Sequence, residues 1–129
     1  MHANNTKLAL NMVRLAAAGN MLIHGITRIS IGGVSPFDEY LSTFGFPPYT
    51  AWFITSFEIV GAIALIAGKW IVPLAISFIL ELIMGIALVH FPSGWFVVGA
   101  GRNGMEYSVL LIVLFTATLI ANRGKNNLS

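Results

Sequence analysis

The 129-residue chain has no cysteine and little charge. Only 9% of its residues are Asp, Glu, Lys or Arg, whereas an ordinary soluble domain has about 25%. Without cysteine, the chain forms no disulfide and offers no thiolate to zinc, to an iron–sulfur cluster or to a thiol relay. Because so few charged side chains could not cover the surface of a soluble domain of this size, the composition excludes that class of protein as well.

In place of charge the chain has long apolar segments, and 57% of its residues are hydrophobic. Each segment approaches the ~17 to 25 residues with which a helix crosses a bilayer core. We therefore predict an all-α fold, an integral membrane four-helix bundle in up-down-up-down order, forming a single transmembrane domain over residues 1–129. The predicted helices span about 8–29, 51–67, 70–91 and 105–121.

A secretory signal peptide is the main alternative for the first apolar segment, because AAAG at 16–19 faintly resembles a small-residue cleavage site. However, Arg14 interrupts the apolar region, which favours an uncleaved helix.

The basic residues indicate how the helices are oriented. They are spread along the chain in no cluster or stripe, so nucleic acid is not expected as a partner. One side, shared by both termini, has Lys7, Lys69, Arg123 and Lys125. The other side has Arg28 and Arg102, with Asp38 and Glu39. Because positive charge accumulates in cytoplasmic loops, we expect both termini in the cytoplasm, with the chain in a membrane of the bacterial inner-membrane type.

The first outer connection, SPFDEYLSTFGFPP, predicts a short helix over about 36–44. Ser35 is placed to cap it, Pro36 stands at its first position and Gly45 can end it. Four apolar side chains with helical spacing share one face: Phe37, Tyr40, Leu41 and Phe44. Such an amphipathic helix is expected to lie at the outer membrane interface.

The last outer connection, FPSGWFVVGAGRNG, combines glycines with Trp95 and Phe96. It is expected to fold back over the bundle. Its aromatic residues are either an interfacial belt, which is the more routine explanation, or a cap over a ligand.

Ionisable residues inside the apolar segments are the strongest indication of function, because each costs roughly 2.5 to 3.5 kcal/mol at the centre of a membrane helix. At about 100° per residue, His24 and Arg28 lie on one arc of the first helix. Glu58 lies on a small-residue stripe of the second helix, which a neighbouring helix can approach closely.

Further polar residues lie at a similar depth. Glu106 and Tyr107 begin the fourth predicted helix, where the helix dipole favours a carboxylate, and His90 ends the third. We expect an inward polar cluster in which Arg28 neutralises Glu58 or Glu106. The cluster either forms a working site or only holds the helices in register.

Two ionisable residues fit this cluster less well. Arg14 lies deeper, and we expect it to extend to the cytoplasmic headgroups. Glu81 lies mid-membrane, and regular helical stepping places it about 180° from His90. Both can face one cavity only if the helix ends before His90, which Pro92 favours. Otherwise Glu81 meets Arg14 or an arginine of another subunit.

Several segments together resemble the DoxX family of small four-helix membrane proteins. They are RLAAAGNMLIHGITRI, FGFPP, EIVGAIALIAGKW, ALVHFPSGWF and GMEY. By this resemblance, the polar residues that match the family pattern are His24, Arg28, Glu58, His90, Glu106 and Tyr107. Arg28 stands where the family often has lysine, which keeps the charge. Glu81 has no counterpart in the family pattern.

The resemblance implies an integral membrane protein often linked to redox systems, including a DoxD-type subunit of thiosulfate:quinone oxidoreductase and membrane partners of detoxifying enzymes. It implies no shared reaction. The first hypothesis is an accessory subunit of a quinone-linked oxidoreductase whose polar cluster binds a quinone or relays its protons. The second is a noncatalytic structural or assembly subunit of a larger membrane complex. Either way, the partners are the lipid bilayer and other membrane subunits or further copies of the chain.

Other functions have weaker support in the sequence. Paired axial haem ligation by His24 and His90 is disfavoured by their angular mismatch, and a transporter by the absence of inverted repeats and broken helices. The spacing of His24, His90 and Glu106 is not diagnostic of a metal site, and no nucleophile constellation stands out. We therefore expect no intrinsic cofactor, no metal and no catalysis by this chain alone.

Overall fold

The chain is all-helical in the part that the computed structural model describes, residues 2–99, 101 and 104–123. Arg102 and Lys125, two of the predicted orientation markers, lie outside the described residues. The α-helices are α1 (His2–Ser30), α2 (Val34–Ser42), α3 (Thr50–Ile66), α4 (Ile71–Gly85) and α5 (Glu106–Asn122). A π-helical turn (Ile86–His90) and a 3₁₀ turn (Phe91–Ser93) continue α4.

By length and hydropathy, the described residues contain one helical stretch that is long and apolar enough to cross a membrane. It is the continuous run Ile71–Ser93, with 23 residues and a mean hydropathy of 2.4 in its most apolar window. Only 22% of that window is buried inside the protein. The helices Thr50–Ile66 and Glu106–Asn122 are apolar but shorter.

The long helices pack side by side around a shared core. Helix α1 packs against α3 and α5, α4 packs against α5 and α3, and α2 packs across α3. The core combines small and large residues: Ala17, Ala18, Met21, Ala62, Leu65, Ile71, Phe78, Leu111 and Phe115. The rings of Phe57 and Phe115 both contact Phe78, at centroid distances of 5.3 and 5.4 Å.

Glycine allows α3 to approach its neighbours closely. A Cβ atom at Gly61 would lie 2.9 Å from Cζ of Phe78 on α4, and one at Gly25 on α1 would lie 2.8 Å from Cγ1 of Ile59. Both distances are shorter than an ordinary van der Waals contact between carbon atoms. The closeness at Gly61 agrees with the prediction that a small-residue face of the second long helix accepts a neighbouring helix.

Helix α2 fixes the start of α3. The Asp38 carboxylate accepts hydrogen bonds from the backbone N–H groups of Tyr49 (3.1 Å) and Ala51 (3.0 Å), so it satisfies donors that a helix start leaves unpaired. The expectation that Ser35 caps α2 is wrong: the helix begins at Val34, two residues earlier than predicted, with Gly33 at the N-cap and no side-chain cap. Asp38 is thus a capping residue for α3.

The π-helical turn changes the direction of the side chains that follow α4. Its i→i+5 hydrogen bonds take more residues per turn than an α-helix, so each residue advances by less than about 100°. With the regular α-helical angle per residue, Glu81 and His90 would lie on opposite faces of the helix. The smaller angle per residue in the π-helical turn means that they no longer do.

Candidate functional site

A cavity of about 790 Å³ opens where α1, α3, the end of α4 and the start of α5 diverge. Nine polar side chains line it: His24, Arg28, Tyr40, Glu58, Glu81, His90, Ser93, Tyr107 and Ser108. The rest of the wall is apolar apart from two glycines, and includes Met21, Phe37, Leu41, Ile54, Leu82, Leu88 and Leu111. The cavity therefore joins a cluster of hydrogen-bonding groups to a hydrophobic wall.

Arg28 and Glu58 form a buried ion pair between α1 and α3. Nη1 of Arg28 donates to Oε1 of Glu58 at 2.8 Å and to Oγ1 of Thr55 at 2.9 Å. The Glu58 side chain is 3% exposed and that of Arg28 is 17% exposed. The Phe37 ring of α2 covers the guanidinium, with Cζ 4.8 Å from the ring centroid. Of the two acids predicted to neutralise Arg28, the structure selects Glu58.

Glu81 also belongs to this polar cluster. Its side chain lines the cavity together with that of Glu58. The sequence left two alternatives for Glu81: a place in the same cavity as His90 if the helix ended before His90, or a contact with Arg14 or an arginine of another subunit. The structure places Glu81 and His90 in the wall of the same cavity.

Arg14 lies far from the cluster, near the connection between α3 and α4. Its Nη1 donates to Oδ1 of Asn11 at 3.1 Å, and its Nη2 lies 3.9 Å from the position of a Cβ atom at Gly68. Within the described residues, the predicted contact between Arg14 and Glu81 is therefore not formed.

His24, Tyr107 and His90 form the second polar part of the wall. The rings of His24 and Tyr107 are stacked, with centroids 6.2 Å apart and planes at 19°. His24 is exposed at the surface of the protein, whereas Tyr107 and His90 are partly buried. The two histidines come from α1 and from the π-helical turn after α4, and this turn presents His90 to the cavity.

Glu106 does not line the cavity. Its Oε1 accepts a hydrogen bond from the backbone N–H of Val97 at 3.2 Å, and its own N–H donates to the carbonyl of Trp95 at 2.9 Å. Glu106 therefore ties the last loop to the start of α5. Among the predicted site residues, Glu106 is the one that holds a loop in place.

The last loop closes one side of the cavity through small residues rather than through its large rings. Val97 and Gly104 line the cavity, whereas Trp95 and Phe96 do not and are each 46% exposed. A Cβ atom at Gly104 would overlap the backbone carbonyl group of Trp95, so this crossing requires glycine. The described part of the loop thus gives no support to an aromatic cap.

Tyr40 also lines the cavity, although its spacing in the sequence indicated only a place on an amphipathic face. Its hydroxyl donates to the carbonyl oxygen of Leu88 at 2.8 Å, which ties α2 to the π-helical turn. The helical spacing of Phe37, Tyr40 and Leu41 indicated a common face, and all three line the cavity. No feature of the sequence indicated what that face would meet.

A family model, DoxX, matches residues 9–91, which is more than half of the chain. The chain belongs to the DoxX family. Membership indicates a membrane protein, in agreement with the apolar helical run Ile71–Ser93. No curated protein and no solved structure matches the chain.

The DoxX match extends over most of the polar cluster. It includes His24, Arg28, Glu58, Glu81 and His90, and ends before α5. Tyr107 therefore joins the cavity from a part of the chain outside the match.

Chemically, the site offers hydrogen-bond donors and carboxyl groups beside an apolar wall. Histidine and tyrosine side chains can donate to a carbonyl oxygen, and a carboxyl group can accept or supply a proton. Within the described residues, no three His, Asp or Glu side chains are placed to hold one metal ion. The arrangement suits a neutral, partly apolar organic ligand with a polar headgroup.

Proposed function

We propose that this DoxX protein is a membrane-embedded accessory subunit of a quinone-linked oxidoreductase and that its cavity binds the quinone headgroup. The observation that carries the proposal is the convergence of histidine, tyrosine and carboxyl side chains on one apolar-walled cavity of about 790 Å³. This volume lies in the range of about 300 to 1,000 Å³ that is usual for small-molecule sites.

The wall matches the two parts of a quinone. The carbonyl oxygens need hydrogen-bond donors, for which His24 and Tyr107 stand side by side at the cavity wall. The ring and the isoprenoid tail need apolar surface, which Leu88, Leu82 and Phe37 provide. Protons taken up or released by the headgroup can be exchanged with the carboxyl groups.

The proposal places α1, α3, α4 and α5 across a bilayer as a four-helix bundle. Helices α3 and α5 have 17 residues each and are therefore about 25 Å long, slightly less than the ~30 Å hydrocarbon core. A small mismatch of this kind is accommodated by local thinning of the bilayer. Support comes from the many large apolar side chains on the outer surface, including Phe53, Val60, Leu80 and Val113.

The same proposal places the protein in an inner membrane of the bacterial type, with both termini in the cytoplasm. Lys7, Lys69 and Arg123 would then lie on the cytoplasmic side, as the distribution of positive charge favours. The cavity would open toward the outer leaflet, with α2 at the outer interface.

Quinone binding tests the proposal directly. The full chain in lipid nanodiscs is titrated with a short-tail benzoquinone by isothermal calorimetry. Wild type is expected to bind one equivalent saturably. His24→Ala and Tyr107→Phe are each expected to weaken binding roughly 3- to 10-fold, since each removes one hydrogen bond worth about 0.5 to 1.5 kcal/mol.

The exposed carboxyl residue Glu39 on α2 provides a matched control. Glu39 does not line the cavity, so Glu39→Gln is expected to bind like wild type. Absence of saturable binding to wild type, or equal binding by wild type and His24→Ala, would contradict the proposal.

A noncatalytic structural or assembly subunit is the second candidate. It is favoured by the Arg28–Glu58–Thr55 contact, which joins α1 to α3 with no ligand needed. Purification in a gentle detergent, followed by mass spectrometry and a visible spectrum, distinguishes the two candidates. Oxidoreductase subunits recovered with the chain support the first, whereas other membrane subunits recovered without any quinone binding support the second.

A further inference from the structure

Helix α1 has a polar side chain on the surface that is turned away from the core. Its buried residues Ala17, Ala18 and Met21 pack into the core. On the other side of the helix, exposed residues follow one another at intervals of three or four positions and form a single stripe. This exposed stripe of α1 consists of Met12, Ala16, Asn20, Ile23 and Thr27.

The Asn20 amide uses only part of its hydrogen-bonding capacity. Its Nδ2 donates to the carbonyl oxygen of Ala16 at 2.8 Å. An asparagine amide has two N–H donors and one carbonyl oxygen, so the second N–H and Oδ1 of Asn20 have no partner among the described residues. Ser77 on α4 differs, because its hydroxyl donates its only proton to the carbonyl oxygen of Pro73 at 2.8 Å.

The proposed placement of α1 across a bilayer puts Asn20 near the middle of the membrane. Helix α1 ends at Ser30 on the outer side, ten residues beyond Asn20. Ten residues of helix extend about 15 Å, which is half of the ~30 Å hydrocarbon core. Lipid tails provide no hydrogen bonds, so an incompletely paired amide at this depth is costly. The inference below rests on this placement, which is part of the proposed function, and not on quinone binding.

A second copy of the chain has the groups that this amide lacks. Two copies in one membrane have the same orientation, so a two-fold axis along the membrane normal places both Asn20 side chains at the same depth. The free N–H of each amide can then donate to Oδ1 of the other, which makes the pair self-complementary. Ala16 lies one helical turn from Asn20 in the stripe and is small enough for the two helices to approach closely.

We propose that two copies of this chain dimerise through the exposed stripe of α1, with the two Asn20 amides hydrogen-bonded to each other near the middle of the bilayer. None of the stripe residues lines the cavity. The cavity residues of α1 are Met21, His24 and Arg28. Each copy in the dimer therefore keeps its own cavity.

Site-specific disulfide cross-linking tests where the two copies meet. Because the chain has no cysteine, a single introduced cysteine reports one position. Ala16→Cys places a thiol in the exposed stripe, and Leu80→Cys on α4 is the matched control on another exposed surface. Membranes containing the full-length variant are oxidised with copper phenanthroline and analysed by non-reducing electrophoresis. A covalent dimer is expected from Ala16→Cys and not from Leu80→Cys.

Energy transfer between donor-labelled and acceptor-labelled chains in phospholipid vesicles measures how strongly the copies associate. Asn20→Leu keeps the side chain at similar size and removes both hydrogen bonds, so dimerisation is expected to weaken roughly tenfold. Asn20→Gln keeps a donor and an acceptor and is expected to recover most of the association. Ser77→Ala is the control for loss of a polar group within the membrane, and it is expected to associate like wild type.

Three results would overturn the inference. They are the absence of a dimer from Ala16→Cys, equal association of wild type and Asn20→Leu, and a cross-link from Ala16→Cys to a different protein in place of the dimer. The cross-linking variants retain Asn20, so they test the inference even if an Asn20 variant fails to fold. A monomeric protein that binds quinone would keep the proposed cavity function and lose the dimer, whereas a dimer that binds no quinone would do the opposite.

Discussion

One end of the helix assembly is closed and the other contains the cavity. The same four long helices, α1, α3, α4 and α5, form both the closed end and the cavity end, but with different kinds of residues. The closed end has Ala17, Ala62, Leu65 and Phe78, all fully buried, and glycine brings α3 against α4. The cavity end has charged and aromatic polar residues, and a π-helical turn and a loop form part of its wall. Small residues allow the helices to touch at one end, whereas polar residues and irregular backbone leave space at the other.

This difference indicates which contacts stabilise the fold and which are available for function. Substitutions at the closed end are expected to change stability and leave ligand binding intact. Substitutions in the cavity wall are expected to change stability less.

The largest effect is expected for Phe78→Ala at the closed end. Phe78 is fully buried and contacts two further rings. The substitution is expected to lower the free energy of unfolding by about 3 kcal/mol, the low end of the usual range, because a bilayer supplies little hydrophobic transfer energy. Thermal unfolding in detergent measures it. Quinone affinity should change less than twofold in the folded fraction, and a large loss of affinity with no loss of stability would contradict the division into two ends.

A smaller effect is expected for Gly61→Ala, which adds one methyl group where α3 meets α4. The new Cβ would lie 2.9 Å from Phe78, so the helices must separate, at a cost of about 1 to 3 kcal/mol. Gly19→Ala on α1 is the matched control, because a Cβ atom there meets nothing within 4 Å. It is expected to stabilise by about 0.4 to 1 kcal/mol. Equal effects of the two substitutions would mean that α3 and α4 are not packed as described.

The smallest change in stability is expected for Tyr40→Phe at the cavity end. It removes the hydrogen bond from the Tyr40 hydroxyl to the Leu88 carbonyl and leaves the ring in place. The expected loss is about 0.5 to 1.5 kcal/mol. Hydrogen exchange of the amides of Ile86–His90 should quicken, because this hydroxyl ties α2 to the π-helical turn. Unchanged exchange there would show that the bond does not restrain the turn.

Much of the closed end could be predicted from the sequence, because apolar length and small-residue stripes follow regular helical spacing. The pairing of Arg28 with an acid also followed from the cost of unpaired charge in apolar segments, although the sequence left Glu58 and Glu106 as alternatives. In the structure, Glu106 instead accepts a hydrogen bond from the backbone N–H of Val97 in the last loop.

The cavity end was harder to predict because its backbone departs from regular helix. Placing Glu81 required knowing that α4 changes to a π-helical turn at Ile86, and Pro92 indicated only that the helix ends nearby. The hydrogen bond between Tyr40 and Leu88 joins residues that are distant in sequence. The crossing at Gly104 depends on the geometry of a loop. Helical periodicity contains no information about such contacts.

Filling the cavity tests the central claim, that these polar side chains surround a ligand site, most directly. Leu88→Trp adds a large apolar group to the wall and keeps the backbone carbonyl that Tyr40 contacts. Calorimetric titration with the short-tail benzoquinone, alongside thermal unfolding, is the measurement. We expect at least a tenfold loss of affinity with a nearly unchanged unfolding temperature. Wild-type affinity in a folded Leu88→Trp protein would contradict the account.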